Sequence, residues 1–325
     1  MTKRVLAAAL AAAILVPAST GRAADVAPRG GTADCAGIAD ERDRLDCYDR
    51  LAGRAPGPEG EAPSRLSRLW ELDNTSRRGK YAITPYRTSY ILAYTYNETP
   101  NERAVREADP DATVQKQEIK FQISFKTKLW EDVLGRDVDL WAGYTQISFW
   151  QFYNFEGSAP FRETNYEPEL LFNARTDYGV LGFRGRYVNA GFNHQSNGRS
   201  RPLSRSWNRV VANAGFERGR TVVVLKGWWR LPEDETEDDN PGIERFVGYG
   251  QVDVESVWGG HKLGISLRNN LRASGNKGSV QLDWSFPLIR RISGYVQYFN
   301  GYAESLLDYN ASANRIGIGV ALKDW

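Results

Sequence analysis

The chain has 325 residues, 25% charged and 12% aromatic, and its 42 Lys+Arg against 40 Asp+Glu leave a formal charge of +2. That balance gives no electrostatic case for nucleic-acid binding, which normally shows a strong basic excess. A mean hydropathy of −0.52 is at odds with a helical membrane protein. A transmembrane barrel, by contrast, is polar on average because half of each strand faces its lumen, and 31 glycines with 10 Trp, 16 Tyr and 13 Phe suit many strands and turns.

Lys3 and Arg4 precede an apolar run from Val5 to Val16, followed by Pro17 and small residues up to Ala23 and Ala24. A basic start, a short apolar run and a small-residue cleavage zone read as a secretory signal peptide over residues 1–24. The run is too short for a spanning helix, which needs about 20 residues. If the exported chain crosses a membrane it must do so as a barrel, the other structure that satisfies every backbone group in lipid.

Export permits a disulfide between Cys35 and Cys47, the only two cysteines. The stretch Asp40 to Leu51 reads as a short helix. Twelve residues of straight helix would hold the two about 18 Å apart, so a bridge requires a turn between them. Ala55 to Pro63 is a linker rich in Pro, Gly and Glu. Residues 25–80 are therefore expected to form a soluble extension and linker, and residues 81–325 the barrel.

From about residue 85 the pattern has period two. Ile119, Phe121, Ile123 and Phe125 alternate with Lys120, Gln122, Ser124 and Lys126. Val280, Leu282, Trp284, Phe286 and Leu288 form a second row, Tyr90, Leu92, Tyr94 and Tyr96 a third, and Ile316, Ile318, Val320 and Leu322 a fourth. Such alternation predicts strands with one apolar and one polar face. Breaks at Thr99-Pro100-Asn101, Asp239-Asn240-Pro241, Gly259-Gly260-His261 and Asn276-Lys277-Gly278 separate them. About twelve segments emerge, centred near residues 92, 123, 145, 171, 187, 212, 225, 252, 266, 283, 297 and 319. Each approaches the 9–11 residues of a tilted membrane strand. The expected fold is all-β, a transmembrane antiparallel β-barrel of about twelve strands with a short N-terminal extension. The polar faces carry too much charge for the dry core of a secreted β-sandwich. The terminal Trp325 resembles the aromatic end of outer-membrane barrels but is out of phase with the Ile316–Leu322 row.

One hairpin carries chemistry. His194 and Ser196 share a face, and the same phase upstream holds Val188, Ala190 and Phe192, so both continue the apolar face. Downstream, Asn208 shares its phase with Val210, Ala212, Ala214 and Phe216. Pairing symmetric about Arg201 sets Ser206 opposite Ser196 and Asn208 opposite His194. Polar groups on a lipid-facing surface are costly, and mutual bonding offers a reason for them. Ser196 suits a nucleophile, His194 its general base, and Asn208 a neutral group that fixes the imidazole tautomer. A polar hairpin at the membrane rim is the bland alternative.

The run His194-x-Ser196-Asn197-Gly198-Arg199-Ser200-x-Pro202-x-Ser204-Arg205-Ser206-Trp207-Asn208-Arg209 resembles the active-site hairpin of the outer-membrane phospholipase A family. Ser158 to Glu169, Asp238-Asp239-Asn240-Pro241 and Tyr298 to Asn310 resemble the same family, so the likeness spans roughly residues 66–325.

The resemblance implies a twelve-stranded outer-membrane barrel that hydrolyses acyl esters of phospholipids and lysophospholipids with phospholipase A1/A2 activity. It further implies calcium dependence and activation by homodimerisation. Ser196 is then the nucleophile, His194 the base, Asn208 the orienting group, and the Gly198 amide part of the oxyanion hole. Calcium in the dimer would be held by the Arg199 carbonyl, the Ser204 hydroxyl and Ser158 of the partner subunit, a water completing the oxyanion hole. Gln146 matches a polar dimer-interface residue, a lumen-facing glutamine being the alternative. Arg201 stands where better-known members carry an aspartate, which leaves Asp239 as the remaining matching carboxylate of a monomer-state calcium site.

His261 reads as a solvated turn residue, and Asp308 as too distant in the chain to serve as third triad member. The sequence contains no metal-binding CxxC pair, HExxH, P-loop or dinucleotide motif, so zinc and nucleotide chemistry have no support. The rival reading from another class is a catalytically silent outer-membrane channel or scaffold.

Overall fold

The computed structural model describes residues 32–38, 44, 47–48, 51, 64–135 and 137–323. The signal peptide, the 55–63 linker and Trp325 lie outside the described residues. The chain divides into two units, Met1–Glu61 and Ala62–Trp325. In the first, Cys35 follows the start of a short helix, Thr32–Ala36, and is bridged to Cys47 across a Cα separation of 5.5 Å. The chain turns after that helix, as a bridge requires.

The second unit is built from β1 (Ile83–Pro85), β2 (Tyr90–Asn97), β3 (Gln117–Trp130), β4 (Val138–Trp150), β5 (Phe161–Val180), β6 (Phe183–Ser196) and β7 (Ser206–Arg218). It continues with β8 (Thr221–Arg230), β9 (Gly250–Trp258), β10 (His261–Asn269), β11 (Gly278–Ile289), β12 (Ile292–Tyr302) and β13 (Ser312–Leu322). Consecutive strands from β2 to β13 pair antiparallel and β13 pairs back onto β2, closing a twelve-stranded barrel, while β1 adds a short rung to β3. Each of the twelve expected centres falls within one of these strands.

Period two sorts the side chains into an inverted arrangement. Outward, Ile123, Phe172, Phe192, Leu263, Leu282, Ile316 and Ile318 are exposed; inward, Lys120, Lys126, Glu118, Glu163 and Arg315 are almost completely buried. A water-soluble protein would bury the first set and solvate the second, so the outer face is matched to lipid. Exposed Trp130, Tyr178, Trp258 and Trp284 mark one rim and Tyr96, Phe161, Trp229 and Tyr249 the other, the girdles of a membrane barrel.

Buried charge is tolerated because it is paired. Lys120 Nζ meets Glu304 at 2.9 Å; Arg315 meets Glu118 at 2.7 Å and Glu304 at 2.9 Å; Arg162 meets Glu118 at 2.6 Å and Asp308 at 2.8 Å. Three cations and three carboxylates thus balance across the lumen. Towards one end, Leu66 and Trp70 of helix Arg65–Trp70 pack on Trp141, Leu171, Tyr187, Val211 and Val222. Towards the other, Leu306 and Tyr309 pack with Trp207, Ile243 and Val247. A cavity of about 870 Å³ lies in the lumen, lined by charged and polar side chains such as Glu167, Arg209, Asp253 and Asp283.

The two rims differ. Two-residue turns join β5 to β6, β7 to β8, β9 to β10 and β11 to β12 at one rim. Gly259 and Gly260, with φ of +51° and +82°, form one of them, since a hairpin turn of this kind needs left-handed backbone at both central positions. The other rim carries longer loops, among them 197–205 between β6 and β7 and 231–249 between β8 and β9. Outer-membrane barrels place such loops outside the cell.

Two expectations require correction. Tyr90, Leu92, Tyr94 and Tyr96 do not form one row. The pairing of β2 slips between Leu92 and Thr95, so Tyr90 and Leu92 point inward while Ile91, Tyr94 and Tyr96 face out. An extra residue in one strand reverses the alternation beyond it. His261 is not a solvated turn residue. It opens β10 with its ring stacked between Trp258 and Trp284, at interplanar angles of 17° and 13°, and Trp284 Nε1 donates to its Nδ1 at 3.3 Å.

Candidate active site

The β6–β7 hairpin is pinned from inside and presents the predicted site residues on its outside. Inward, Asn193 donates to Glu167 at 2.8 Å, Arg209 bonds both Asn193 and Glu167, and Glu167 is clamped by Arg87 at 2.8 and 3.1 Å. Trp207 donates to Gln195 at 2.8 Å, and the Arg209 guanidinium lies 4.0 Å from its ring centre. Every second residue being tied down in the lumen, the residues between them are held on the outer face with little freedom.

Those outer residues are His194, Ser196, Ser206 and Asn208. The register sets His194 opposite Asn208 and Ser196 opposite Ser206, as symmetry about Arg201 predicts. His194 Nδ1 and Asn208 Oδ1 are 2.8 Å apart. With the amide oxygen as acceptor, Nδ1 carries the hydrogen and the lone pair is left on Nε2. Ser196 lies two residues along the same face, half-buried, with Tyr166 across from it on β5.

The loop beyond Ser196 is organised by Asn197, which is 4% exposed. Its Oδ1 accepts from the amides of Arg199 and Arg205 at 3.3 and 3.0 Å, and its Nδ2 donates to the Leu203 carbonyl at 2.8 Å and to Glu163 at 3.3 Å. Gly198 has φ +65°, and a Cβ there would stand 3.3 Å from the Tyr166 ring. The left-handed backbone and the close ring both favour glycine. Arg199 spends its guanidinium on the carbonyls of Phe161 and Arg162, at 2.8 and 2.7 Å.

Ser204 donates its hydroxyl hydrogen to Asp239 Oδ2, and Arg201 Nε donates to Asp239 Oδ1 at 3.1 Å. Ser158 is exposed on the β4–β5 loop with φ +59°. Gln146 lies on the outer face of β4, opposite Tyr166, accepting from Tyr144 at 3.0 Å and donating to Ser148 at 3.2 Å; it does not face the lumen. Asp308 belongs to the lumen, held by Arg162 and Ser305 at 2.8 and 2.7 Å. Among the described residues no group of three or more His, Cys, Asp or Glu gathers as a metal site.

Sequence reasoning missed Asn197 and Asn240, the latter fully buried and accepting the Ser206 amide at 3.0 Å. It also missed Glu233, 3.4 Å from Asn208 Nδ2. Asn197 and Asn240 stand inside the stretches that carry the family resemblance. Glu233 gives no local signal, because its partner lies 25 residues away.

An apolar outer surface around a charged lumen defines the class, a membrane-embedded β-barrel, and the outer rim of this one carries Ser196 beside the bonded pair His194 and Asn208. A model of the family Phospholipase A1 matches residues 66–322. The chain belongs to that family, whose members are outer-membrane ester hydrolases. It is 40% identical over 273 residues to Phospholipase A1 of Escherichia coli K12, covering 83% of this chain and 89% of the relative. Phospholipase A1 of Klebsiella pneumoniae is 39% identical over 247 residues, covering 75% and 83%. The solved outer membrane phospholipase A from Escherichia coli superposes with a TM-score of 0.73 at 37% identity, covering 81% of this chain and 98% of that one. A Salmonella typhi outer membrane phospholipase, crystallised as a dimer with bound calcium, gives 0.73 at 36%, covering 80% and 99%.

Proposed function

We propose that this phospholipase hydrolyses acyl esters of phospholipids and lysophospholipids through Ser196, His194 and Asn208, on the lipid-facing rim. The observation that carries the reading is the 2.8 Å contact between His194 Nδ1 and Asn208 Oδ1. It leaves Nε2 as the basic nitrogen on the side of the ring away from Asn208. Ser196 Oγ attacks the ester carbonyl carbon as its proton passes to Nε2, and the carbonyl π pair becomes an oxyanion bonded by the Gly198 amide. Collapse breaks the acyl–oxygen bond, and His194 returns the proton to the departing alcohol. Water then repeats the sequence on the acyl-Ser196 ester and releases the fatty acid.

Calcium fits the oxygen donors at the hairpin loop. Ser204 gives its hydrogen to Asp239, so its own lone pairs remain to bind a cation. The Arg199 carbonyl, the Ser204 hydroxyl and Ser158 of the partner subunit would hold it with several waters, a donor set suited to a hard cation. When bound, it supplies positive charge that stabilises the developing oxyanion. Asp239, with one oxygen on Arg201 and the other on Ser204, enters as the support of Ser204 rather than as a ligand.

Dimerisation would bring Ser158 to the partner's hairpin, with Gln146 and its hydrogen-bonded neighbours on the contacting face. Activity then follows dimer population, which rises when membrane damage brings substrate and monomers together. The test is acyl-ester hydrolysis by detergent-refolded protein, titrated with calcium and then EDTA beside a Ser196→Ala variant. Activity requiring both calcium and Ser196 supports the reading. Full turnover by folded Ser196→Ala removes it, and a folded, calcium-loaded dimer without activity would leave the silent scaffold.

A further inference from the structure

Asn208 is ambiguous as a triad member. Its amide has a donating and an accepting end of nearly the same shape, and either can face an imidazole. With Oδ1 towards His194, Nδ1 holds the hydrogen and Nε2 is basic. With Nδ2 towards His194, the ring must carry its hydrogen on Nε2 and cannot take a proton from Ser196. Something must choose.

The loop after β8 supplies the choice. Glu233 Oε1 accepts from Asn208 Nδ2 at 3.4 Å. An ionised carboxylate can only accept, so it draws the NH2 end to itself and leaves Oδ1 for His194. Glu233 is itself secured. Its Oε2 accepts from Arg230 Nη2 at 3.2 Å, and Arg230, 7% exposed at its side chain, also bonds Asp238 at 2.6 Å and the Asn240 carbonyl at 3.3 Å. The backbone joins in, since the Leu231 amide donates to the Asn208 carbonyl at 2.8 Å. The Arg230 guanidinium is shared among Glu233, Asp238 and, at 3.8 Å, Glu244.

We propose that Glu233 is a positioning residue that fixes the orientation of the Asn208 amide and so decides which nitrogen of His194 is basic. The inference rests on the triad reading above and deepens it.

The test compares Glu233→Ala, Glu233→Gln, Asn208→Ala, Asn208→Asp and the double variant N208D/E233Q. Each is first shown by circular dichroism and thermal unfolding to be a folded barrel, then assayed as a calcium-loaded dimer on a monoacyl phospholipid in detergent micelles. Glu233→Ala should lower kcat about 10-fold, the worth of one hydrogen bond to a charged group, with KM unchanged. Glu233→Gln, which keeps an acceptor oxygen, should restore part of that loss. Asn208→Asp sets two carboxylates against each other, so adding Glu233→Gln should raise its kcat, whereas the same change lowers kcat beside the native Asn208. A residue that merely anchors the loop would act in the same direction in both backgrounds, and that result overturns the proposal. So does a kcat within twofold of normal in Glu233→Ala. Unchanged activity in Asn208→Ala would instead remove the triad reading itself, and this inference with it.

Discussion

Arg201 Nε donates to Asp239 Oδ1 at 3.1 Å, and the same carboxylate receives the hydroxyl of Ser204. A guanidinium from the β6–β7 loop thus occupies one oxygen of a carboxylate that could otherwise offer it to a divalent cation, and Arg201 is secured again by the Thr236 carbonyl at 2.8 Å. Arg201→Asp should create two neighbouring carboxylates and tighten calcium binding by the monomer. Calorimetric titration at dilutions below dimerisation checks this, with the unaltered protein showing the weaker binding.

Ser196→Ala and His194→Ala should each cut kcat about 10³-fold or more, because nucleophile and base act as one unit. Asn208→Ala removes only the orienting group, so a smaller loss of about 10²-fold is expected. All three residues lie on the outer face of strands held from the lumen side, so the thermal unfolding temperature should move little. Steady-state kinetics beside unfolding scans separates the two effects.

Gly198→Ala places a side chain where φ is +65° and a tyrosine ring lies 3.3 Å from the added carbon. The left-handed backbone alone costs about 1–2 kcal/mol in a non-glycine residue. On the proposed mechanism the loop should relax so that its amide no longer meets the oxyanion, and kcat should fall while KM changes little. A double variant with Tyr166→Ala would relieve the ring contact but not the backbone strain, so recovery should be partial.

Arg315→Met removes one cation from the lumen and leaves Glu118 and Glu304 with a missing partner each. Both carboxylates are about 1% exposed at their side chains. Breaking a buried pair this way costs about 3–5 kcal/mol. Urea unfolding should show the loss. The folded fraction should keep its activity, because the cluster touches no residue of the triad.

Strand identity and the β6–β7 register belong to local sequence. Ile316, Ile318, Val320 and Leu322 alternate with inward residues and are lined along one outer face, because a two-residue repeat needs no knowledge of the partner strand. The pairings His194–Asn208 and Ser196–Ser206 follow from one short symmetric loop. A bulge is legible only from both sides of a pair, which is why the reversal after Leu92 escaped a pattern read along one strand.

What the amino-acid order determined alone is the position of the twelve strands, the outward phase of His194, Ser196 and Asn208, and the family likeness of their hairpin. Tertiary structure decided the rest: the carboxylate behind Asn208, the arginine on Asp239, the histidine between Trp258 and Trp284, and the ion pairs that cross the lumen. These join residues from separate strands and loops, and barrel closure alone sets which charges meet. Electrostatic pairing depends on distances of a few ångströms that no sequence spacing encodes.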